Sequence, residues 1–300
     1  MRENQSLLIF GLGFSGRAVA RLALHAGWQV TATVRSTDKA IAVKAQCPEI
    51  TCLPLDDDGS LDALATATGQ ASHILMAAPT AEQSDGHHAD PFLSIAERDW
   101  FSGDCWLGYL STTVVYGDWA GRWVTESSET RSQSVRGRRR IAAEAQWSAL
   151  DAKVHIFRLA GIYGPGRNAL ETVRDGRARI IDKPGQVFSR IHVDDIAQIV
   201  WASMQAPTAI SGGPEIYNVC DDYPCEPGEV IRYACQLLGV NPPLSVAFQD
   251  AGLSAMGRSF YEDNKRVSNA KAKRLIGGGM LFPTYKEGLN AEFKQLAKED

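Results

Sequence analysis

A glycine-rich turn close to the N-terminus limits the fold of this chain more than any other sequence feature. The apolar run Leu7–Phe10 leads directly into the hexapeptide GLGFSG, and apolar residues recur at helical spacing over Arg17–Ala26. In this G-x-G-x-x-G pattern, Gly11 permits the tight turn, Gly13 lets the backbone approach a pyrophosphate, and Gly16 allows close helix–strand packing. Because a helix N-terminus also offers N–H groups to phosphates, the pattern predicts a dinucleotide site rather than a turn that binds nothing.

Short apolar runs alternate with helical patterns through the first half of the chain. After the first strand these runs are Trp28–Val34, Ile50–Leu55, His73–Ala77, Cys105–Leu110 and Val154–Leu159. The alternation indicates parallel βαβ units with right-handed crossovers. The predicted fold class is therefore α/β, a doubly wound parallel sheet (Rossmann) with a smaller C-terminal substrate-binding cap. Since glycine and proline become frequent after Leu159, we predict a nucleotide-binding core at 1–165 and 187–220 and a cap at 166–186 and 221–300.

The charge balance excludes two classes of partner. With 31 basic and 35 acidic residues, the formal net charge is −4, so no overall positive field attracts nucleic acid or an anionic membrane. The apolar stretch near the N-terminus is too short to span a membrane.

The six cysteines form no C-x-x-C pair, which predicts a reduced, cytoplasmic protein. His87, His88 and Asp90 have no fourth ligand in their loop, so we predict no metal site.

The end of the second strand predicts which dinucleotide binds. An acidic residue there would hydrogen-bond the adenosine ribose of NAD, but the strand ends Thr33-Val34-Arg35-Ser36 and no carboxylate occurs before Asp38. An arginine and a hydroxyl suit a ribose 2′-phosphate, so NADP is the predicted cofactor and NAD the alternative. A solvated surface arginine is the other interpretation of Arg35.

Several further stretches resemble the extended short-chain dehydrogenase/reductase superfamily, in its NAD(P)-dependent epimerase/dehydratase branch. In chain order they are GLGFSG at 11–16, LSTTVVYG at 110–117, RLAGIYGPG at 158–166, IHVDDIA at 191–197, YNV at 217–219 and VSNAKAKRLIG at 267–277. The resemblance covers nearly the whole chain in the family's order, although Phe10 replaces the family's extra leading glycine. With it we predict cofactor contacts from Gly11, Gly13, Phe14, Ser15, Gly16, Arg35, Ser36, Asp56, Ala77, Ala78, Pro79, Ser111 and Ile162.

The resemblance also implies which residues stand at the catalytic positions. Thr112, four residues before Tyr116, occupies the place of the family's Ser/Thr that hydrogen-bonds the reacting oxygen. Where the family carries Tyr-x-x-x-Lys on one helix face, this chain has Arg136 and Arg140. An arginine has a pKa above about 12 and cannot act as a base. Arg136 would instead suit an anionic group, and Arg140 could still bind a ribose.

Other interpretations of these catalytic positions stay open. The RGRRR sequence at 136–140 could be a solvated basic helix face. Its registration, however, predicts that Arg136 and Arg140 face inward while Arg138 and Arg139 face outward. Tyr116 could line the substrate pocket or replace the missing tyrosine as an acid.

On the substrate side, the sugar-nucleotide members of the family commonly carry an arginine four residues before the histidine of the I-H-V motif. Phe188 stands at that position here, and Arg190 lies two residues further along the same strand face. Arg190 is therefore the predicted substrate residue, with a surface or structural role as the alternative. We expect His192 to be a structural histidine and Asp194 to cap the helix that follows it.

Two functions from different classes are compatible with these residues. The first is an NADP-dependent oxidoreductase or isomerase that acts on a small carbonyl or hydroxyl substrate, neutral or anionic. The second is a cofactor-binding sensor or interaction protein without turnover, since Arg136 replaces a titratable tyrosine. We expect a monomer or a homodimer, because arginines could oppose pairing through the helix by which family members often dimerise.

Overall fold

The computed structural model describes residues 5–56, 59–79, 105–206 and 213–299. In the first part of the chain, strands and helices alternate as β1 (Ser6–Phe10), α1 (Phe14–His25), β2 (Gln29–Val34), α2 (Thr37–Gln46), β3 (Ile50–Pro54), α3 (Ser60–Gln70), β4 (His73–Met76) and β5 (Trp106–Thr112). The middle of the chain contains a 3-10 turn (Thr113–Tyr116), β6 (Trp123–Val124), α4 (Val135–Ser148), β7 (Lys153–Leu159), β8 (Gly161–Tyr163), α5 (Ala169–Arg174), β9 (Ile180–Asp182), β10 (Arg190–His192) and α6 (Val193–Gln205). The last part contains β11 (Glu215–Val219), α7 (Pro227–Leu238), β12 (Ser245–Ala247), a 3-10 turn (Phe248–Asp250), α8 (Ala255–Ser259), β13 (Arg266–Val267), α9 (Ala270–Leu275) and α10 (Tyr285–Glu299).

A parallel sheet of seven strands organises the fold, in the order β11-β7-β5-β4-β1-β2-β3. β1 pairs with both β2 and β4, so that Leu8 lies opposite Thr31 on one side and Ile74 on the other. The strand order reverses between β1 and β4, and α/β sheets bind ligands at such a switch point, beyond the carboxyl ends of their strands. The predicted α/β class with a doubly wound parallel sheet is confirmed.

The central strands are apolar along their length because helices cover both faces of a parallel sheet. All four residues of β4 are buried, and so are Leu7–Phe10 of β1. One cluster contains Phe10, Tyr109 and Trp147, and the last two rings stack with their centroids 5.7 Å apart. A stacked aromatic pair adds about 0.5–1.5 kcal/mol beyond the area that it buries.

The chain divides into two compact units. The first unit contains Met1–Thr112, Arg139–Arg158 and Ile196–Tyr217, and the second contains Thr113–Arg138, Leu159–Asp195 and Asn218–Asp300. These boundaries differ from the sequence-based ones, above all for Thr113–Arg138, which the sequence assigns to the nucleotide-binding core. The physical reason is that the chain leaves the sheet after β5, and β6 then pairs with β13 from the C-terminal part of the chain.

The second unit contains three short parallel pairs of strands, β6 with β13, β8 with β10, and β9 with β12. Its helix α7 has Pro227 in the first turn, where no backbone N–H is needed, and ends at Gly239 in the left-handed conformation (φ +68°). Tyr163, Leu170 and Tyr285 belong to the core of this unit.

Two further observations concern both units. No helix of the described ranges is long and apolar enough to cross a membrane. All six cysteines are free thiols.

A buried histidine in the first unit makes stability depend on pH. The imidazole of His73 lies 4.5 Å from the Trp28 ring, centroid to centroid, and its Nε2 donates to the Met204 carbonyl at 3.3 Å. Burial lowers the pKa of His73, and the hydrogen bond to Met204 opposes that effect only in part. The folded protein therefore holds this imidazole neutral at pH values where the unfolded chain binds a proton.

We predict that the contribution of His73 to the free energy of unfolding decreases as the pH falls below about 6.5, the ordinary histidine value. The contribution of His73 is complete above that pH and is lost as the pH falls toward the lowered pKa of the folded state. His73→Phe removes the titrating group, so the unfolding free energy of the variant should rise relative to that of the unmodified protein as the pH falls from 8 to 5, measured by urea unfolding. The exposed Gln29 provides the control, since Gln29→Ala changes no titratable group. Identical profiles for His73→Phe and the unmodified protein would contradict this account.

Candidate functional site

The glycine turn between β1 and α1 combines two sterically required glycines with one that faces open space. Gly11 has φ +86°, and a Cβ there would lie 2.9 Å from the Cα of Ala78. A Cβ on Gly16 would lie 2.9 Å from the Gly11 carbonyl oxygen and 3.3 Å from Ile9 Cγ2. A Cβ on Gly13 would meet no atom within 4 Å. Gly11 and Gly16 therefore let the helix pack, whereas the space above Gly13 is free for a ligand.

The start of α1 suits an anion. Gly13 is the N-cap residue, no side chain caps the helix, and no acidic residue occurs in its first turn. The turn is held to β2 because the N–H of Gly11 donates to Thr33 Oγ1 at 2.9 Å and the N–H of Leu12 donates to the Thr33 carbonyl at 3.2 Å. The positive end of the helix dipole is therefore not neutralised by a carboxylate of the helix itself, and phosphate oxygens fit there. Of the other predicted contacts in this turn, Ser15 is buried and Phe14 half-buried.

The end of β2 presents an exposed cation beside the start of α2. Arg35 is exposed. Ser36 caps α2 by accepting the N–H of Lys39 at 3.3 Å. The Asp56 carboxylate accepts the backbone N–H of Thr37 at 3.0 Å and its hydroxyl at 3.2 Å. The side chains of Ser36 and Asp56 thus fix the start of α2, while Arg35 extends into solvent.

Other predicted cofactor residues follow the carboxyl ends of β4 and β5. Ala77 continues β4, and its N–H donates to the Phe10 carbonyl at 2.9 Å. Ala78 is the residue that approaches Gly11, and Pro79 follows it. The switch-point strands therefore bring the glycine turn and Ala77–Pro79 together in the first unit. Ile162 lies on β8 of the second unit.

A buried ionic network joins β5, α4 and β7 within the first unit. The Ser111 hydroxyl donates to Glu144 Oε1 at 2.5 Å. Arg158 donates to the same carboxylate from Nη2 at 2.8 Å and from Nε at 3.2 Å, and both of these charged side chains are less than one-tenth exposed. Ser111, a predicted cofactor residue, therefore has its hydroxyl bound to Glu144. Thr112 follows it as the half-buried last residue of β5.

Arg140 ties α4 to β5. Its Nη1 donates to the Tyr109 hydroxyl at 2.8 Å and to the Leu110 carbonyl at 3.1 Å, and the guanidinium carbon lies 5.7 Å from the centroid of the Tyr109 ring. Arg140 is half-buried, as the helix registration predicts, and so is Arg139, which the registration places outside. Arg140, which the motif resemblance aligns with the family's lysine, therefore holds α4 against β5.

Arg136 does not face inward, contrary to the prediction from the helix registration. It is exposed, and its guanidinium lies over the ring of Phe260, 4.9 Å from the ring centroid. Periodicity correctly groups residues on helix faces, but it cannot show that Phe260, far along the sequence, provides the surface against which the side chain lies. Arg138 is exposed, as predicted, and donates to the Gln133 carbonyl.

Tyr116 belongs to a buried hydrogen-bond network in the second unit. The side chain is fully buried, and its hydroxyl donates to Asn218 Oδ1 at 2.6 Å. The N–H of Asn218 donates to Glu126 Oε1 at 2.9 Å, and its amide donates to the Ser268 carbonyl at 3.2 Å. Tyr116 is therefore poorly placed to line a pocket or to donate its proton to a substrate.

Arg190 lies beside a buried acid that the sequence analysis missed. Its Nη1 donates to the Phe188 carbonyl at 3.0 Å and to Cys225 Sγ at 3.2 Å, and its carbonyl accepts the N–H of Asp221 at 2.7 Å. Burial raises the pKa of Asp221 to about 7, while its hydrogen bond to the Tyr223 N–H and the charge of Arg190 oppose the rise. The only sequence signal was an aspartate one residue after Cys220, shortly beyond the end of an apolar strand.

His192 is a structural residue, as predicted, but it also takes the capping role that the sequence assigns to Asp194. Its Nδ1 accepts the N–H of Asp194 at 3.2 Å, and its Nε2 is 3.0 Å from Glu292 Oε1. The accepting Nδ1 carries no proton, so Nε2 donates to the carboxylate. Asp195, also buried, accepts the backbone N–H groups of Leu281 and Phe282.

Among the described residues, no group of three or more His, Cys, Asp or Glu side chains is arranged to hold a metal ion. The candidates His87, His88 and Asp90 lie outside those residues.

The buried network yields a stability prediction. Glu144→Ala removes the carboxylate that pairs with the buried Arg158 charge and should lower the free energy of unfolding by about 3–5 kcal/mol, measured by denaturant titration. Replacing both partners, as Glu144→Leu with Arg158→Met, should recover most of that loss. The exposed pair of Arg177 and Asp175 is the matched control, and Asp175→Ala should cost less than about 1 kcal/mol. A comparable small cost for Glu144→Ala would show that the network does not hold α4.

Comparisons with known proteins agree with this architecture. No protein-family model matches the chain. A solved structure of a functionally unknown conserved protein from Silicibacter pomeroyi DSS shares 41% identity, covers 97% of this chain and 99% of its own, and has a TM-score of 0.84. Protein YeeZ of Escherichia coli (strain K12) is 27% identical over an alignment of 284 positions that covers 88% of this chain and 93% of that protein.

A third similarity concerns the fold alone. The UDP-glucuronic acid 4-epimerase from Bacillus cereus, solved in complex with UDP-glucuronic acid and NAD, has a TM-score of 0.74 at 15% identity and covers 99% of this chain and 100% of its own. The chain therefore belongs to the family of the functionally unknown Silicibacter pomeroyi protein and has the fold of the NAD-dependent epimerases and dehydratases, which confirms the resemblance noted in its motifs.

Proposed function

We propose that the protein is an NADP-dependent oxidoreductase or isomerase of the epimerase/dehydratase type, acting on a small carbonyl or hydroxyl compound that carries an anionic group. The observation that carries the proposal is the start of α1, which has open space above Gly13 and no carboxylate in its first turn. A nucleotide pyrophosphate is the ligand that such a helix start in a G-x-G-x-x-G turn takes.

The first unit would hold the dinucleotide. The backbone of Gly11–Gly16 would bind the pyrophosphate, and Ala77, Ala78 and Pro79 would border the cofactor beyond the end of β4. When bound, a nicotinamide dinucleotide supplies hydride transfer to or from a carbon that bears a hydroxyl or carbonyl group. The NAD in the structure of the Bacillus cereus epimerase supports a dinucleotide in this fold.

The preference for NADP rests on Arg35. The residue is exposed directly before the start of α2, where its guanidinium would favour a doubly charged 2′-phosphate. The Asp56 carboxylate beside the start of α2 is engaged with Thr37. NAD-binding proteins of this fold typically have an acidic residue at the end of β2 that accepts hydrogen bonds from the ribose hydroxyls, and here Arg35 and Ser36 follow that strand instead.

The second unit would supply the groups that recognise the substrate. Arg136 is exposed, and Arg190 keeps its Nε and Nη2 without a hydrogen bond within the described part of the chain. Either guanidinium can pair with a carboxylate or phosphate. Thr112 would hydrogen-bond the reacting oxygen, and since Arg136 cannot act as a base, proton transfer needs a group other than the family's tyrosine.

A cofactor-binding sensor or interaction protein without turnover is the second candidate. The buried, hydrogen-bonded hydroxyl of Tyr116 and the permanently charged Arg136 favour it, because neither replaces the missing acid. Incubation of NADPH with panels of aldehydes, ketones and sugar phosphates separates the two. Consumption of NADPH supports the enzyme, and tight binding without consumption supports the sensor.

For either function we propose a cytoplasmic location, in keeping with six free thiols, and a monomer or homodimer.

We predict that Gly13→Val abolishes cofactor binding without unfolding the protein. The new side chain meets no protein atom near its Cβ but occupies the space proposed for the pyrophosphate. Affinity for both NADPH and NADH should fall more than about tenfold in calorimetry, while the thermal midpoint falls by only a few degrees because valine is a poorer N-cap than glycine. Gly69→Ala, also in open space but on α3, is the control and should bind normally. Unimpaired binding by Gly13→Val would place the nucleotide elsewhere.

We further predict that Arg35→Ala weakens NADPH binding by about tenfold to a hundredfold, the usual effect of losing a charge-assisted contact to phosphate. NADH has no 2′-phosphate, so its affinity should not change. Lys44→Ala, in the last turn of α2, is the control for a general loss of positive charge. Equal losses for both nucleotides, or no loss for either, would contradict the assignment of Arg35.

A further inference from the structure

A cavity of about 470 Å³ opens in the second unit between the C-terminal ends of α5 and α7. Val173 and Leu238 line it from the two helices, and Val240 and Pro243 line it from the segment that follows α7. Small-molecule clefts in proteins have volumes of about 300–1,000 Å³ and mainly apolar walls. The α5–α7 cavity therefore has the size and the lining of a ligand site, and none of its residues belongs to the candidate site at the glycine turn.

The backbone at the ends of both helices leaves this space open. Gly176 lines the cavity in the left-handed conformation (φ +65°), and a Cβ there would meet no atom within 4 Å. The bonds that close the two helix ends run from the N–H of Arg177 to the Thr172 carbonyl and from the N–H of Val240 to the Cys235 carbonyl, each at 3.0 Å. Because these carbonyls are engaged within the chain, the polar side chains of the lining decide which ligand fits.

The charge in the α5–α7 cavity is positive. Of the described residues that line it, only Arg174 carries a formal charge. The Arg174 side chain is 42% exposed, and its Nη1 is 3.9 Å from Glu171 Oε1, an exposed contact too long to hold the guanidinium firmly. Asn241 adds an amide that can donate hydrogen bonds. Burial raises the pKa of the Cys235 thiol, so this part of the wall is uncharged at neutral pH.

We infer that the α5–α7 cavity binds a small amphipathic monocarboxylate. Its apolar body would lie against Val173, Leu238 and Val240, and its carboxylate would pair with Arg174, whose planar fork matches the two carboxylate oxygens. A monoanion balances the single charge of the lining, whereas a phosphate dianion would leave one negative charge against apolar walls. The inference depends on neither the dinucleotide nor the proposed reaction.

Calorimetry on the full-length protein tests the inference with butanoate, hexanoate and octanoate as probes. We expect a Kd below about 1 mM for octanoate. Each added methylene should tighten binding by up to about fourfold, because the chain leaves water for the apolar walls. Hexan-1-ol and hexylamine match hexanoate in length but not in charge, and each should bind at least about tenfold more weakly.

Two pairs of exposed variants show where the carboxylate binds. Arg174→Gln should weaken octanoate binding about tenfold, whereas Arg232→Gln removes an exposed arginine of α7 outside the lining and should bind normally. Val240→Glu introduces a second carboxylate at a lining residue that is 48% exposed, and should also weaken binding at least about tenfold. Leu244→Glu is its control, since Leu244 is 91% exposed and does not line the cavity.

Three results would overturn the inference. The first is no binding of octanoate by the unmodified protein, and the second is equal affinity for hexanoate and hexan-1-ol. The third is unchanged octanoate affinity in Arg174→Gln or in Val240→Glu, which would place the carboxylate elsewhere. Failure of NADPH to bind in the same samples would remove the proposed function and leave the carboxylate titration unaffected, so the two failures are distinguishable.

Discussion

The close approach of α1 to the ends of β1 and β4 is the contact on which the candidate site depends. It is possible only because Gly11 and Gly16 have no side chains, since a Cβ at either would come within 3 Å of backbone atoms. The contact positions the first turn of α1 at the switch point of the sheet, where the free space at Gly13 adjoins a helix start without acidic residues. Packing and phosphate binding therefore make different demands on the three glycines, and the turn meets both.

A second constraint is the attachment of α4 to the sheet. Glu144 joins Ser111 to Arg158, and Arg140 joins Tyr109 to the Leu110 carbonyl, so two charged side chains of one helix hold it against β5 and β7. A buried carboxylate between a guanidinium and a hydroxyl is costly to disrupt, although the pair adds little to stability beyond what apolar residues of similar volume would supply. The motif resemblance places the family's tyrosine and lysine at positions of this helix where the chain has Arg136 and Arg140, and Arg140 makes contacts that hold the helix to β5.

The sequence predicts the fold better than the site because its signals are local. The G-x-G-x-x-G turn and the alternation of strands and helices lead directly to the parallel sheet, since each depends on neighbouring residues. Helical spacing predicts an inward-facing Arg136 because it groups residues on one helix face but does not show what packs against that face. The side chain in fact lies over the Phe260 ring. The sequence gives no sign of the role of Asp221 for the same reason, as its surroundings are assembled from distant segments. The unit boundary at Thr113 depends on the pairing of β6 with β13, which no local pattern indicates.

The central claim is that the first unit binds NADP through the glycine turn and the start of α2. Hydrogen–deuterium exchange of the unmodified protein, alone and with NADPH or NADH, tests it directly because it reports where binding occurs. The account predicts slower exchange at 11–17 with either nucleotide and at 35–37 with NADPH only. Unchanged exchange at 11–17 with both nucleotides would contradict the claim.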